Sequence, residues 1–274
     1  MTLRIQAVIL DWAGTVLDHG SRAPIGAFVE AFAHFGVSIT VADARGPMGM
    51  AKRDHIRMLG TRPAVAAAWR AAQGRDFEED AIDAIFAVFE PLNIAAVEAH
   101  ATLIRGARQA LLWCEARGIR IGSTTGCTRP IMRRLAPLAA AQGFSPEVMV
   151  CAGDLAAGRS APLQMWHAMA AMGVHPASAV LKLDDTPPGI VEARAAGYWA
   201  AGVALTGNIT GLAEHQLDAL SALEREALRR DVADVLPRAG AHAVVDSTAD
   251  LPRLTERIDA HLAHGERPAV VDAR

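Results

Sequence analysis

The chain has 274 residues, of which 51% are hydrophobic and 21% charged, and a formal net charge of −3. It is long enough for one large domain or two smaller ones, and too apolar for a disordered chain. Charges of both signs are interspersed without a basic stripe, which argues against a nucleic-acid partner. Three cysteines are too few for a disulfide framework or a structural zinc site and suit a reducing cytoplasm. No run approaches the ~20 apolar residues of a membrane span, so no membrane is expected. Of 27 basic residues only Lys52 and Lys182 are lysines. Arginine is effectively always protonated and cannot serve as an amine nucleophile, whereas lysine can.

In chain order, Val8-Ile9-Leu10 reads as a short buried strand that delivers Asp11 to its carboxyl end, followed by Gly14-Thr15. Ligands of open α/β sheets sit outside such strand ends. Asp11 therefore reads as a nucleophile, a metal ligand or an ordinary turn residue. Ile25, Phe28, Val29, Phe32 and Phe35 recur at helical spacing, closed by Gly36. Gly46-Pro47 turns into a further helix, on which Met48, Lys52 and His55 fall at i, i+4 and i+7 and share a face. Residues 64–73 and 77–98 give two more helices, the second expected to kink or break at Pro91. Residues 21–99 thus form an all-helical insertion. Residues 1–20 and 100–274 form the domain that it interrupts.

From residue 100, strands and helices alternate. A helix at 107–117 precedes a strand at 119–121 that ends in Gly122-Ser123-Thr124-Thr125-Gly126 at a helix start. Further strands are expected at 148–151, 180–183 and 198–203, a long helical stretch at 214–230, a short segment at 242–245, a last helix at 251–261, and a loose tail over 265–274. The alternation predicts an α/β fold: a Rossmann-like, doubly wound parallel sheet with helices on both faces.

The polar groups gather at four strand ends. Asp11 closes the first. Hydroxyls and N–H groups over 123–126 suit a phosphate, or cap a helix. Arg159 in the loop after the third strand is a phosphate clamp or an exposed arginine. Asp184-Asp185 closes the fourth. On an extended chain adjacent side chains point opposite ways, so at most one of these acids joins Asp11 on a cation. That pair, with water and a backbone oxygen, suits Mg2+.

In order, Asp11, Thr124 or Thr125, Arg159 and Asp184/Asp185 resemble the four motifs of the haloacid dehalogenase superfamily of hydrolases. The resemblance covers the whole chain and makes the 21–99 insertion the family's helical cap domain. Most phosphatases of that family carry a second Asp two residues after the nucleophile as general acid. Here Ala13 stands there, and Ala cannot protonate an alkoxide. Asp11-Trp12-Ala13-Gly14-Thr15, with Arg45-Gly46-Pro47-Met48-Gly49 and Lys52, resembles the phosphonatase branch, which hydrolyses phosphonoacetaldehyde.

That resemblance implies cleavage of a C–P bond to acetaldehyde and phosphate, through a Lys52 Schiff base and an Asp11 aspartyl phosphate. It implies His55 as a proton shuttle. Thr124, Thr125, Gly126, Arg159 and Met48 would bind substrate. The Mg2+ ligands would be Asp11, the backbone oxygen of Ala13 and Asp185, and the assembly a cytoplasmic homodimer paired through the caps. Lys182, inside the fourth strand, is expected to support the site. Cys127 and Ser160 depart from the aromatic residue and proline expected there. The alternatives are a phosphatase or phosphomutase of the same superfamily, a dehalogenase, or a non-catalytic binding module on this fold.

Overall fold

The computed structural model describes residues 4–159 and 161–268. Ser160 and the end of the tail from 269 lie outside the described residues. Six strands form one sheet in the order β3-β2-β1-β4-β5-β6: β1 (Ala7–Leu10), β2 (Arg120–Thr128), β3 (Val148–Ala152), β4 (Val180–Asp184), β5 (Trp199–Val203) and β6 (Ala243–Val245). All neighbours pair in parallel, as a sheet with helical crossovers requires. The order reverses at β1, between β2 and β4, where such sheets bind ligands.

Alternation along β1 explains its continuous apolar run. Val8 and Leu10 join one core cluster, and Ala7 and Ile9 join another on the opposite face. The first face is covered by α6 (Ala107–Glu115), α7 (Arg129–Ala140) and α12 (Leu251–Ala263), through Leu111, Ile131 and Leu254. The second is covered by α8 (Leu163–Ala171), α9 (Pro187–Ala195) and α11 (Ala222–Arg238), through Met165, Ile190 and Leu236.

Between β1 and α6 the described elements are all helical: α1 (Ala23–His34), α2 (Val41–Arg45), α3 (Lys52–Gly60), α4 (Pro63–Gln73) and α5 (Glu79–Ala99). Helices α1 and α5 bury their apolar stripes against each other, with the Phe28 and Phe89 rings stacked 4.2 Å apart. No helix among the described residues is long and apolar enough to cross a membrane.

Four local expectations change. Helix α5 runs unbroken through Pro91, whose ring sits on the exposed side, so the helix loses one hydrogen bond while its packing against α1 holds it. Met48 is not on the α3 helix. Residues 46–50 form successive turns, with Gly49 at φ +94°, and the helix starts at Lys52. Strand β2 continues through the hydroxyl run to Thr128. Residues 214–230 are not one helix: α10 (Glu214–Ala219) ends, and Ser221 caps α11 by accepting from the N–H of Glu224.

Candidate active site

Strand register assembles the sheet side of the site. Leu10 pairs with Ser123 on one side and Leu183 on the other. One residue further on, Asp11, Thr124 and Asp184 therefore lie abreast on one face. The Asp11 N–H donates to the Leu183 carbonyl at 3.1 Å, fixing where strand becomes turn.

Arg159 reaches into this row with its side chain only 1% exposed. Its Nη2 donates to Asp11 Oδ1 and, at 2.9 Å, to the Thr124 carbonyl. It also lies 3.3 Å from Asp184 Oδ2, and its Nε lies 3.5 Å from Glu192 Oε2. Lys182 Nζ donates to Thr124 Oγ1 at 2.9 Å and pairs with Asp184 Oδ2 at 3.1 Å. Asp184 Oδ1 accepts from the N–H and Oγ1 of Thr186 at 3.0 and 2.7 Å.

Asp185 stands beyond the end of β4, where strand alternation no longer applies. Ligand atoms of Asp11, Asp184 and Asp185 all lie within 4.8 Å of one another. Both acids of the pair therefore lie close to Asp11. Their partners differ. Asp184 is held by Arg159 and Lys182, which keep its carboxyl below the usual range against the effect of burial. Asp185 has only neutral donors, the Thr15 hydroxyl at 3.1 Å and the Asn208 N–H at 2.7 Å. Burial, and then Asp11 and Asp184, push its carboxyl well above the usual range. Burial likewise raises Asp11, and raises Glu192 to about 7. Four buried carboxyl groups thus share two buried cations, and Asp11, Asp185 and Glu192 are left with too little positive charge nearby to offset their burial.

The helical side meets the sheet where residues 46–51 pass the end of β2. A Cβ on Gly126 would fall 2.5 Å from the Met50 carbonyl oxygen, so only glycine fits there. Arg159 Nη1 donates across the seam to the Gly49 carbonyl at 3.3 Å. A cavity lies between the two sides. Asp11, Ala13, Thr125, Gly126, Cys127 and Arg159 line it from the sheet side. Met48, Lys52 and Asn93 line it from the helices. Lys52 is buried in the first turn of α3, with Nζ 5.8 Å from the centre of the Phe28 ring.

Residues 5–197 match the family model of the haloacid dehalogenase-like hydrolases. The chain belongs to this family. Haloacid dehalogenase-like hydrolases similar to it include the phosphonoacetaldehyde hydrolase of Paraburkholderia phytofirmans, 48% identical over 96% of this chain and 99% of that protein. The phosphonoacetaldehyde hydrolase of Klebsiella pneumoniae is 45% identical over 97% and 99%. The crystal structure of a phosphonoacetaldehyde hydrolase-like protein from Oleispira antarctica superposes with a TM-score of 0.95 at 36% identity, covering 97% of both chains.

Seen as a haloacid dehalogenase-like hydrolase, the chain collects most of its expected site residues around one cavity. Of the two candidate threonines, Thr125 lines it, while the Thr124 hydroxyl faces Lys182. His55 is not in the cavity wall. Its ring stacks on Phe28 at 3.8 Å and its Nε2–H donates to the Ala44 carbonyl at 2.9 Å. Its Nδ1 is buried without a partner among the described residues. Burial, and next the charge of Lys52, hold it well below the ordinary histidine range, so the ring is neutral at pH 7.

The family implies a metal. The donor set fits one: hard carboxylate oxygens in excess over nearby cations, with no ion pair to Asp185 among the described residues. Sequence reasoning missed Glu192 and Asn93. Each is one polar residue among others in its helix, and only the tertiary fold brings it to the site.

Proposed function

We propose that this hydrolase cleaves the C–P bond of phosphonoacetaldehyde, giving acetaldehyde and phosphate. The observation that carries the reading is the cavity's pair of opposed nucleophiles, the Lys52 amine and the Asp11 carboxylate. Breaking a C–P bond heterolytically needs an acceptor for the electrons left on carbon, and an iminium is one. The names of the close relatives support the same substrate.

Neutral Lys52 adds through Nζ to the aldehyde carbon, and loss of water gives the iminium. An Asp11 oxygen then attacks phosphorus. The C–P electron pair moves into the iminium, leaving an enamine on Lys52 and an aspartyl phosphate on Asp11. Protonation of the enamine carbon and hydrolysis release acetaldehyde and the free amine. A second water hydrolyses the aspartyl phosphate, returning Asp11 and phosphate. No alcohol leaves at any step, so Ala13 costs the reaction nothing.

Arg159, the Thr125 hydroxyl and the Gly126 N–H bind phosphoryl oxygens, with Thr124 steadying Lys182 and Arg159 behind them. Met48 shapes the aldehyde end. His55 is neutral and one helical turn from Lys52 but outside the cavity wall, so in this reading any proton it shuttles during imine formation passes through an intervening water. Asp11, Asp185 and the Ala13 carbonyl would hold Mg2+, which when bound neutralises phosphoryl charge.

Residues 21–99 act in this reading as a cap domain over the core formed by 1–20 and 100–274. The three unpaired, buried thiols suit a reducing cytoplasm. A homodimer paired through the caps belongs to the same reading, and Val41 and Met58 are apolar side chains exposed on that segment.

Phosphate release from phosphonoacetaldehyde should require a divalent cation and stop with EDTA. Borohydride added with substrate should tag Lys52 covalently. Efficient turnover of sugar phosphates, or no tag on Lys52 despite phosphate release, overturns the reading.

A further inference from the structure

Helix α5 brings to the cavity a polar side chain that the reaction above does not use. Asn93 is fully buried and lines the wall. Neither its Oδ1 nor its Nδ2 meets a hydrogen-bond partner among the described residues. A buried amide left unpaired is costly, and native chains seldom keep one without a reason. Two other cavity-lining residues carry an orphaned buried atom: the Trp12 indole N–H and the Arg159 Nε, each a single donor. Asn93 alone among them leaves both a donor and an acceptor unmet.

Its place in the helix says which end of a substrate it meets. Phe89, Asn93 and Val97 recur every four residues and share one face of α5. Phe89 stacks on Phe28, and the same Phe28 ring lies under Lys52 Nζ. The amide therefore stands one helical turn from the contact that seats the amine. The groups suited to phosphoryl oxygens lie across the cavity on the sheet. Asp18, a polar neighbour in the wall, is already committed, accepting from the N–H groups of Arg22 and Ala23 at 3.0 and 2.9 Å and lying 3.3 Å from His100 Nδ1.

We propose that the Asn93 amide binds the carbonyl oxygen of the aldehyde while Lys52 adds to its carbon. This rests on the imine reading. The Nζ lone pair forms the N–C bond and the C=O π pair moves onto oxygen. That oxygen takes a proton shed by the nitrogen to give the carbinolamine; its hydroxyl then takes a second proton, supplied by solvent, and departs as water as the nitrogen lone pair forms the C=N bond of the iminium. Throughout, the Nδ2 group donates to the substrate oxygen, and Oδ1 accepts from the new hydroxyl. The amide itself neither gains nor loses a proton. Substrate oxygen supplies the partner that the fold withholds. A site built this way also selects carbonyl-bearing phosphonates over saturated ones, which would leave the amide unpaired.

The test uses the full-length enzyme with Mg2+. Asn93→Leu keeps the branched shape and heavy-atom count and removes the amide. Borohydride trapping of phosphonoacetaldehyde on Lys52, and kcat/KM, should fall on the order of 100-fold. Competitive inhibition by inorganic phosphate should be unchanged, and the thermal midpoint equal to or above wild type. A merely structural Asn93 would move stability down and leave trapping alone. Asn93→Ser needs no extra space and retains a hydrogen-bonding group, so it should lose less. Wild-type trapping rates in both variants overturn the proposal, as does equal loss in both accompanied by lowered midpoints. If wild-type enzyme turns over but is never tagged, the imine reading fails and this inference with it. A tagged wild type with an unaffected Asn93→Leu sinks this inference alone.

Discussion

The chain's two lysines lie on opposite sides of the cavity, Lys52 in its wall and Lys182 buried behind it in the sheet, and their surroundings differ. Lys182 lies in the middle of the sheet and commits its N–H donors to Asp184 and Thr124. Lys52 lies over Phe28 at the start of α3, beside Met48 and Val97. The sheet wall is dense with ionised groups fixed by one another. Such an array stabilises phosphoryl charge because its dipoles and charges need no rearrangement when that charge develops. The helical wall is mostly apolar, and there a lysine is left unspecified by any acid partner among the described residues. An amine tied to a carboxylate serves as a structural cation. An amine without that tie is available to add to a carbonyl. The contrast explains how two residues of one type divide between support and chemistry.

Substitutions on each wall should therefore fail at different steps. Asp11→Asn should abolish phosphate release by about 10^4-fold or more, yet still give the borohydride tag on Lys52. Loss of the tag as well would mean that the walls do not work independently. Lys52→Arg keeps the charge and loses the nucleophile. It should lower kcat by roughly 10^3-fold and yield no tag, which mass spectrometry of the reduced protein would detect. Arg159→Lys removes the planar fork that spans Asp11, Thr124 and Asp184. Steady-state kinetics should show a loss of about 100-fold in kcat/KM.

Glu192 gives the smallest effect on activity, and a pH-dependent one on stability. Its carboxyl holds a proton up to about pH 7 in the folded chain, against 4.5 for the ordinary group. The folded state thus binds the extra proton between those values. Raising the pH through that window should lower stability, by at most about 3 kcal/mol, with no further change above pH 7 from this group. Glu192→Gln should flatten that decline in thermal midpoints measured across pH 4–8. An identical slope in both proteins would remove Glu192 from the network.

How far the sequence reveals this arrangement depends on whether a feature is local. Strands β1 and β4 are legible because each is a short apolar run stopped by an acid. Strand β2 is only half legible, since Ser123-Thr124-Thr125 has the composition of a turn, yet Ser123 pairs with Leu10 and Met149, and Thr124 with Val150, before the register shifts. Pro91 predicts a break by local sterics, and tertiary packing on α1 overrides it. The helical period puts Met48 on the Lys52 helix, but turns intervene at 46–50. Asp11, Lys52 and Arg159 stand out by residue type and flanking pattern. Asn93 and Glu192 do not, because their significance arises from contacts between helices and strands distant in the chain.

The contact at Gly126 sets a distance. The residues that line the cavity from both sides are largely buried, and the two sides meet here. At that point backbone lies against backbone, with carbonyls of Gly49 and Met50 over a residue that has no side chain. The same contact helps set the distance between Lys52 and Asp11 across the cavity. A methyl group at residue 126 would act as a shim: it would hold the amine and the carboxylate too far apart to share one small molecule, while leaving every reactive group intact.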